Sequence, residues 1–231
     1  MKSVPSSRPS YFQTVAAVVW KDLTAEIRSR EIFSAMLIFA LLVVLIFNFA
    51  LELEAGTRAS VAAGVLWVTF TFAGTIGLNR SMASEKDRGC LDGLLLAPVD
   101  RSAIYFGKML GNLAFMLIVE AVVIPVFSLL YNINLVTPGL LGVTLLGSIG
   151  YIAVGTLLSA MAVQARTRDI LLPILLFPVV IPVVVAAVKA STGIIQGIPM
   201  DEITPWLNLL VVYDIIFLTA AWMIFDKVVE E

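Results

Sequence analysis

Residues 80–108 read RSMASEKDRGCLDGLLLAPVDRSAIYFGK, and nine of these twenty-nine residues are charged. They stand inside a chain of 231 residues that is 60% hydrophobic and only 14% charged. On either side lie apolar runs of about 20 residues, and such a run spans roughly 30 Å of hydrocarbon as a helix. The charged stretch therefore belongs in water, between two membrane spans. A long charged connection on a membrane protein with few others is where a soluble partner would hold it.

Working outward, hydropathy gives six spans, at about residues 32–51, 60–78, 109–131, 138–163, 170–188 and 206–225. Mean hydropathy is +0.99. No period-2 alternation competes with these runs, so helices are favoured over a barrel. The expected fold is an all-α polytopic membrane protein in one transmembrane domain over residues 11–231. Residues 1–10, MKSVPSSRPS, are polar with two prolines and are expected to be a disordered N-terminus.

The basic residues orient the spans. Lys2, Arg8, Lys21, Arg28 and Arg30 precede span one, and Arg80, Lys86, Arg88, Arg101 and Lys108 follow span two. Arg166, Arg168 and Lys227 fall on the same side, leaving only Arg58 and Lys189 on the other. The basic side faces the cytoplasm, so both termini are expected inside. Residues 11–31 place Phe12, Ala16, Val19, Leu23 and Ile27 at steps of four or three, with Lys21, Asp22 and Arg28 elsewhere on the wheel. This pattern predicts an amphipathic helix in the cytoplasmic interface. Residues 189–205 are apolar but interrupted by Gly193, Gly197 and Pro199, which predicts a short outer interfacial or re-entrant element.

Within the charged connection, residues 83–96 suggest a short helix. Glu85, Lys86, Asp87, Arg88 and Asp92 frame it, and Leu91 and Leu94 form an apolar tip. Such a helix suits insertion into a groove on a soluble protein. A solvated helix resting on the membrane explains the pattern equally well. Pro173, Pro178 and Pro182 in span five predict a kinked or partly broken helix that serves as a hinge or lines a cavity. Gly139, Gly142, Gly147, Gly150 and Gly155 in span four read as ordinary close helix packing. Glu120 and Asp214 fall near the midplane of spans three and six. Each is either a site for a proton or polar substrate, or a carboxyl hydrogen-bonded between helices.

Histidine is absent, which removes imidazole chemistry and imidazole metal or haem ligation from this chain. No G-x-x-x-x-G-K-[ST] loop is present, so ATP hydrolysis would need another subunit. Cys90 is the only cysteine and can form no disulfide within the chain. No catalytic group or metal site is expected.

In their order these parts resemble the membrane subunits of ABC-2 type transporters. More narrowly, the chain is similar to the CcmB family, the haem-exporter membrane proteins of the cytochrome c maturation system. The residues that carry the likeness are Gly64-Val65-Leu66-Trp67-Val68, then Asn79-Arg80 through Glu85 to Gly93-Leu94-Leu95-Leu96-Ala97-Pro98, and LLPILLFPVVIPVVVAA over residues 171–187. The resemblance runs from about residue 11 to the end. It implies an ABC ATPase partner, CcmA-like, docked on the loop between spans two and three, with ATP bound there and not here. It also implies CcmC-like and CcmD-like membrane partners, a CcmE-like haem chaperone, haem as cargo of the complex, and a bacterial inner-membrane location. A homodimer is expected, since ABC ATPases work in pairs and this chain supplies one docking loop. Two alternatives stay open: an ABC-2 permease exporting another amphiphile, drug or lipid, and a proton-coupled secondary carrier using Glu120 and Asp214.

Overall fold

A computed structural model describes residues 10–50, 55–87, 89, 93, 99–163, 165 and 167–228. The described residues form seven helices: α1 Tyr11–Ser29, α2 Glu31–Ala50, α3 Ala55–Asp87, α4 Arg101–Tyr131, α5 Pro138–Ala162, α6 Arg168–Gln196 and α7 Met200–Val228. Six of them, α2 to α7, are long and apolar enough to cross a membrane. The protein is a multi-pass, all-helical membrane protein. α3 and α5 are the most enclosed, while α2 and α7 are the most open to their surroundings. On α2, Met36, Ala40 and Val44 are buried while Ile38, Leu42, Ile46 and Phe49 are exposed. A helix apolar on both its inner and outer faces is at home only in lipid.

Local chemistry explains the ends. Asp100 caps α4 by accepting from the Ser102 amide at 3.0 Å. Thr137 caps α5 by accepting from the Leu140 amide at 3.3 Å, with Pro138 in the first turn. α1 ends at Arg30 and α4 at Asn132, both in the left-handed region.

Helices run beyond their predicted spans. α3 continues unbroken to Asp87, so residues 83–87 are its last turn and not the start of a separate short helix. It stops near Gly89, which adopts φ +66° and donates its amide to Lys86 O at 3.0 Å. α4 begins eight residues before the predicted span, at Arg101. Arg88, Cys90, Leu91, Asp92 and Leu94 lie outside the described residues.

No re-entrant element separates the last two spans. α6 runs through Gly193 to Gln196, and residues 197–199 alone connect it to α7. The turn is a Schellman motif: Ile198 N donates to Gly193 O at 2.9 Å, Gly197 N donates to Ile194 O at 3.2 Å, and Gly197 has φ +68°. Gly193, an interruption by sequence pattern, instead admits Ile203 of α7, whose Cγ1 would lie 2.8 Å from an added Cβ. α6 is also unbroken across Pro173, Pro178 and Pro182. Pro178 and Pro182 face outward. Tyr213 Oη donates to Val179 O at 3.0 Å, tying α7 to α6 beside these prolines.

On α1, Phe12, Trp20 and Ile27 are exposed. Its inward face is Thr14, Val18, Asp22 and Glu26, a stripe at every fourth residue that is largely polar. Tyr11 meets Ser102, Val18 meets Gly107, and Asp22 meets Lys108 and Gly111. Contacts thus advance together along α1 and α4, so the two helices pack lengthwise. A helix lying flat in the interface would cross α4 once, and α1 does not.

Candidate functional site

Two groups of polar side chains stand out inside this apolar bundle. The first lies at the end where α1, α3 and α4 meet. Lys108 is almost wholly buried, with its side chain 3% exposed. Its Nζ lies 2.9 Å from Asp22 Oδ2 and 2.6 Å from Glu85 Oε1. Lys21 Nζ pairs with the same Glu85 oxygen and lies 3.3 Å from Asp22 Oδ1. Two cations and two carboxylates thus close a compact neutral cluster. Burial alone would lower the Lys21 pKa, but the Glu85 hydrogen bond and the charges of Asp22 and Glu85 outweigh it and raise it. The Lys21 contribution is therefore intact at neutral pH and is lost only as pH rises through that raised value.

The cluster fixes the end of α3 on one side, and its other side is fixed as well. Lys86 Nζ donates to Val163 O at 2.7 Å, and Asp87 receives both guanidinium nitrogens of Arg168, at 3.1 and 3.0 Å. Asn79 Nδ2 donates to Asp169 Oδ1 at 2.9 Å. All three described members of the predicted docking set, Glu85, Lys86 and Asp87, thus have partners within the chain. Glu85 is buried and not free to orient a soluble protein.

The second group is the pair of intramembrane acids. Glu120 on α4 is buried and accepts from Ser148 Oγ on α5. Asp214 on α7 is buried against Gly150 of α5, where an added Cβ would sit 2.3 Å from Asp214 Oδ1. Ser148 and Gly150 are two residues apart, about 3 Å along the helix and nearly opposite around it. The two acids meet α5 at nearly the same height, but α5 separates them. They do not form one two-carboxylate site. Glu120 ties α4 to α5 through Ser148, whereas Asp214 packs against Gly150 with its Oδ1 lacking a hydrogen-bond partner among the described residues.

The span-four glycines divide in the same way. Gly147 receives Trp67, Gly150 receives Asp214 and Gly155 receives Leu78, each within 2.3 Å of the added Cβ. Gly139 makes ordinary contact with Ile194, and Gly142 faces open space. Trp67 also donates to Ser191 Oγ at 3.0 Å, joining α3 to α6. Tyr151 Oη lies 2.7 Å from Thr75 Oγ1 and donates to Thr71 O, joining α5 to α3.

Sequence pattern alone does not single out Lys21, Asp22 and Lys108 as site residues. A signal for them exists: the α1 wheel carries a polar stripe opposite its apolar one, and Lys108 is flanked by Gly107 and Gly111, which let another helix reach it.

The family model for CcmB protein matches residues 13–229. Heme exporter protein B of Rhodobacter capsulatus is 28% identical over 188 residues, covering 80% of this chain and 85% of the relative. Heme exporter protein B of Paracoccus denitrificans is 29% identical over 175 residues, covering 75% and 80%. The protein of that name from Bradyrhizobium diazoefficiens is 25% identical over 193 residues, covering 83% and 86%. With nearly its whole length matched and six membrane-crossing helices in place, the chain belongs to the CcmB family.

Proposed function

We propose that this chain is the membrane permease subunit of an ABC transporter complex for cytochrome c maturation. In this reading it couples ATP hydrolysis by a CcmA-like ATPase to haem export, or to release of a haem-loaded CcmE-like chaperone. CcmC-like and CcmD-like subunits complete the complex, and the chain acts as a homodimer in a bacterial inner membrane with both termini in the cytoplasm. Membership of the CcmB family over residues 13–229 carries the proposal.

The anchoring of α3 supports a coupling role for the loop that follows it. Glu85, Lys86 and Asp87 bind the base of that loop to α1, α4, the α5–α6 connection and α6. A push on the loop would therefore reach four elements at once. In this proposal these three residues transmit the push, while Arg88, Leu91, Asp92 and Leu94 meet the ATPase. Pro178 and Pro182, facing outward on an unbroken α6, would serve as bending points and not as a break. The carrier alternative loses support, because α5 separates Glu120 from Asp214. The alternative of another amphiphilic cargo keeps the same architecture.

The test is co-purification under gentle extraction. The wild type should retain an ATPase subunit. Leu91→Asp with Leu94→Asp would put two carboxylates into an apolar groove, at a cost of several kcal/mol. That variant should insert normally yet lose the ATPase and fail to support cytochrome c maturation. Wild-type ATPase yield from the variant would remove the loop as the docking element. No ATPase with the wild type would overturn the ABC reading, and maturation genes beside this one would favour haem over another amphiphile.

A further inference from the structure

Beneath the ion cluster lies a cavity of about 160 Å³, bounded by α1, α2, α3 and α4. Glu85 lines it and is nine-tenths buried. Its Oε1 holds both lysines, but its Oε2 is buried with no hydrogen-bond partner among the described residues. An ionised oxygen left so is costly unless something in the cavity donates to it. Nearby acceptors are the hydroxyls of Ser81 and Ser84 and the carboxylates of Glu26 and Glu31. Glu26 already accepts from Phe33 N at 2.8 Å and from Ser29 Oγ at 3.3 Å. Beyond the closed cluster the wall is thus net negative and rich in acceptors, which suits a cation with several N–H donors.

The place of the cavity in the fold narrows the occupant. Its wall includes Glu31 and Ile32, the first residues of α2, where the chain passes from polar to continuously apolar. Phe115 supplies a second apolar wall, and Lys21, with its side chain 41% exposed, supplies a cation at the polar side. Carboxylates, a cation and apolar surface meet at the hydrocarbon boundary. We propose that the cavity binds the headgroup of a zwitterionic phospholipid bearing a primary ammonium, with the ammonium on Glu85 Oε2 and the phosphate toward Lys21. Phosphatidylethanolamine is the probe of that chemistry. A choline headgroup carries the same charge but no N–H and cannot donate to Glu85, while a glycerol headgroup can donate from its hydroxyls but brings no cation to offset the carboxylates of the wall.

The proposed lipid site is independent of the ATPase reading and is tested without an ATPase. Purified, delipidated protein is offered lipids of identical acyl chains whose headgroup is ethanolamine, its mono- and dimethyl forms, choline or glycerol, and retained lipid is counted by native mass spectrometry. Retention should fall stepwise with each methyl group, reaching about tenfold between ethanolamine and choline. Glu85→Gln should erase the preference. Because that variant also strips a partner from Lys108 and can unfold the chain, the methylation series on the unaltered protein decides. Equal retention of ethanolamine and choline lipids would overturn the proposal, leaving a cavity filled by water or by a partner protein's cation. Preference for the glycerol lipid would overturn it too, by showing that Lys21 governs the site.

Discussion

Lys108 is the residue whose environment differs most from its position in the sequence. It begins an apolar run, and a lysine there is expected to reach water. Instead its side chain is enclosed by α1 and α3, with Asp22 at 2.9 Å and Glu85 at 2.6 Å. Removing one partner of a buried ion group costs about 3–5 kcal/mol, because the opposite charges stay buried. Lys108→Met should fall at the lower end, since Lys21 still reaches both carboxylates. A clear drop in the thermal midpoint of the purified protein is the expected result, with Lys108→Arg milder. An unchanged midpoint for the methionine variant would mean that water already shares the cluster. Glu120 invites a different comparison. Glu120→Gln keeps an acceptor for Ser148 Oγ and removes ionisation, so assembly and function should stay near normal. Glu120→Leu removes the acceptor and should weaken the helix contact by about 1 kcal/mol, read as lower assembled yield. A glutamine variant that assembles fully but does not function would instead give the carboxyl a proton-carrying role.

At the scale of elements, the chain announces its helices more clearly than their ends. Six apolar runs mark six spans because lipid leaves a helix no other way to satisfy its backbone. The ends are harder to read. The charges at 80–87 mark where α3 leaves hydrocarbon, not where it stops, and helices project beyond the bilayer at no penalty that hydropathy registers. Gly193 reads as a breaker from sequence alone, and only the neighbouring helix shows it to be a packing site for Ile203. The lengthwise docking of α1 is hidden for a related reason: an amphipathic wheel names the apolar face, while the partner of the polar face is a tertiary fact. This docking depends on Gly107, where an added Cβ would lie 2.6 Å from Val18 Cβ and 3.2 Å from the Val15 backbone oxygen. The backbone contact leaves a larger side chain no local escape. Gly107→Leu should therefore lift α1 from α4, speeding limited proteolysis within residues 11–30 while the six spans still insert. Equal proteolysis in variant and wild type would show that α1 is held by the ion cluster alone.

For the whole molecule, the side of the membrane that the ion cluster faces decides the ATPase reading. Thirteen of the fifteen lysines and arginines are assigned to one side by the span pattern. That bias orients a multi-span protein because basic flanks resist translocation. The described helices keep the pattern: Lys86, Arg101, Lys108 and Arg168 all gather at the end where α3 and α4 carry their charges, while Lys189 lies near the opposite end of α6. The lone thiol, Cys90, follows directly after that charged end and outside the described residues, so it reports the side without interference from any other cysteine. A membrane-impermeant thiol reagent should leave Cys90 unmodified in intact cells and label it in inverted vesicles. Thr204→Cys, on the exposed first turns of α7 and made in a Cys90→Ser background, should show the reverse. Labelling of Cys90 from outside sealed cells would place the loop opposite any cytoplasmic ATPase. The anchoring of α3 could then no longer be read as a coupling device, whatever the ion cluster contributes to stability.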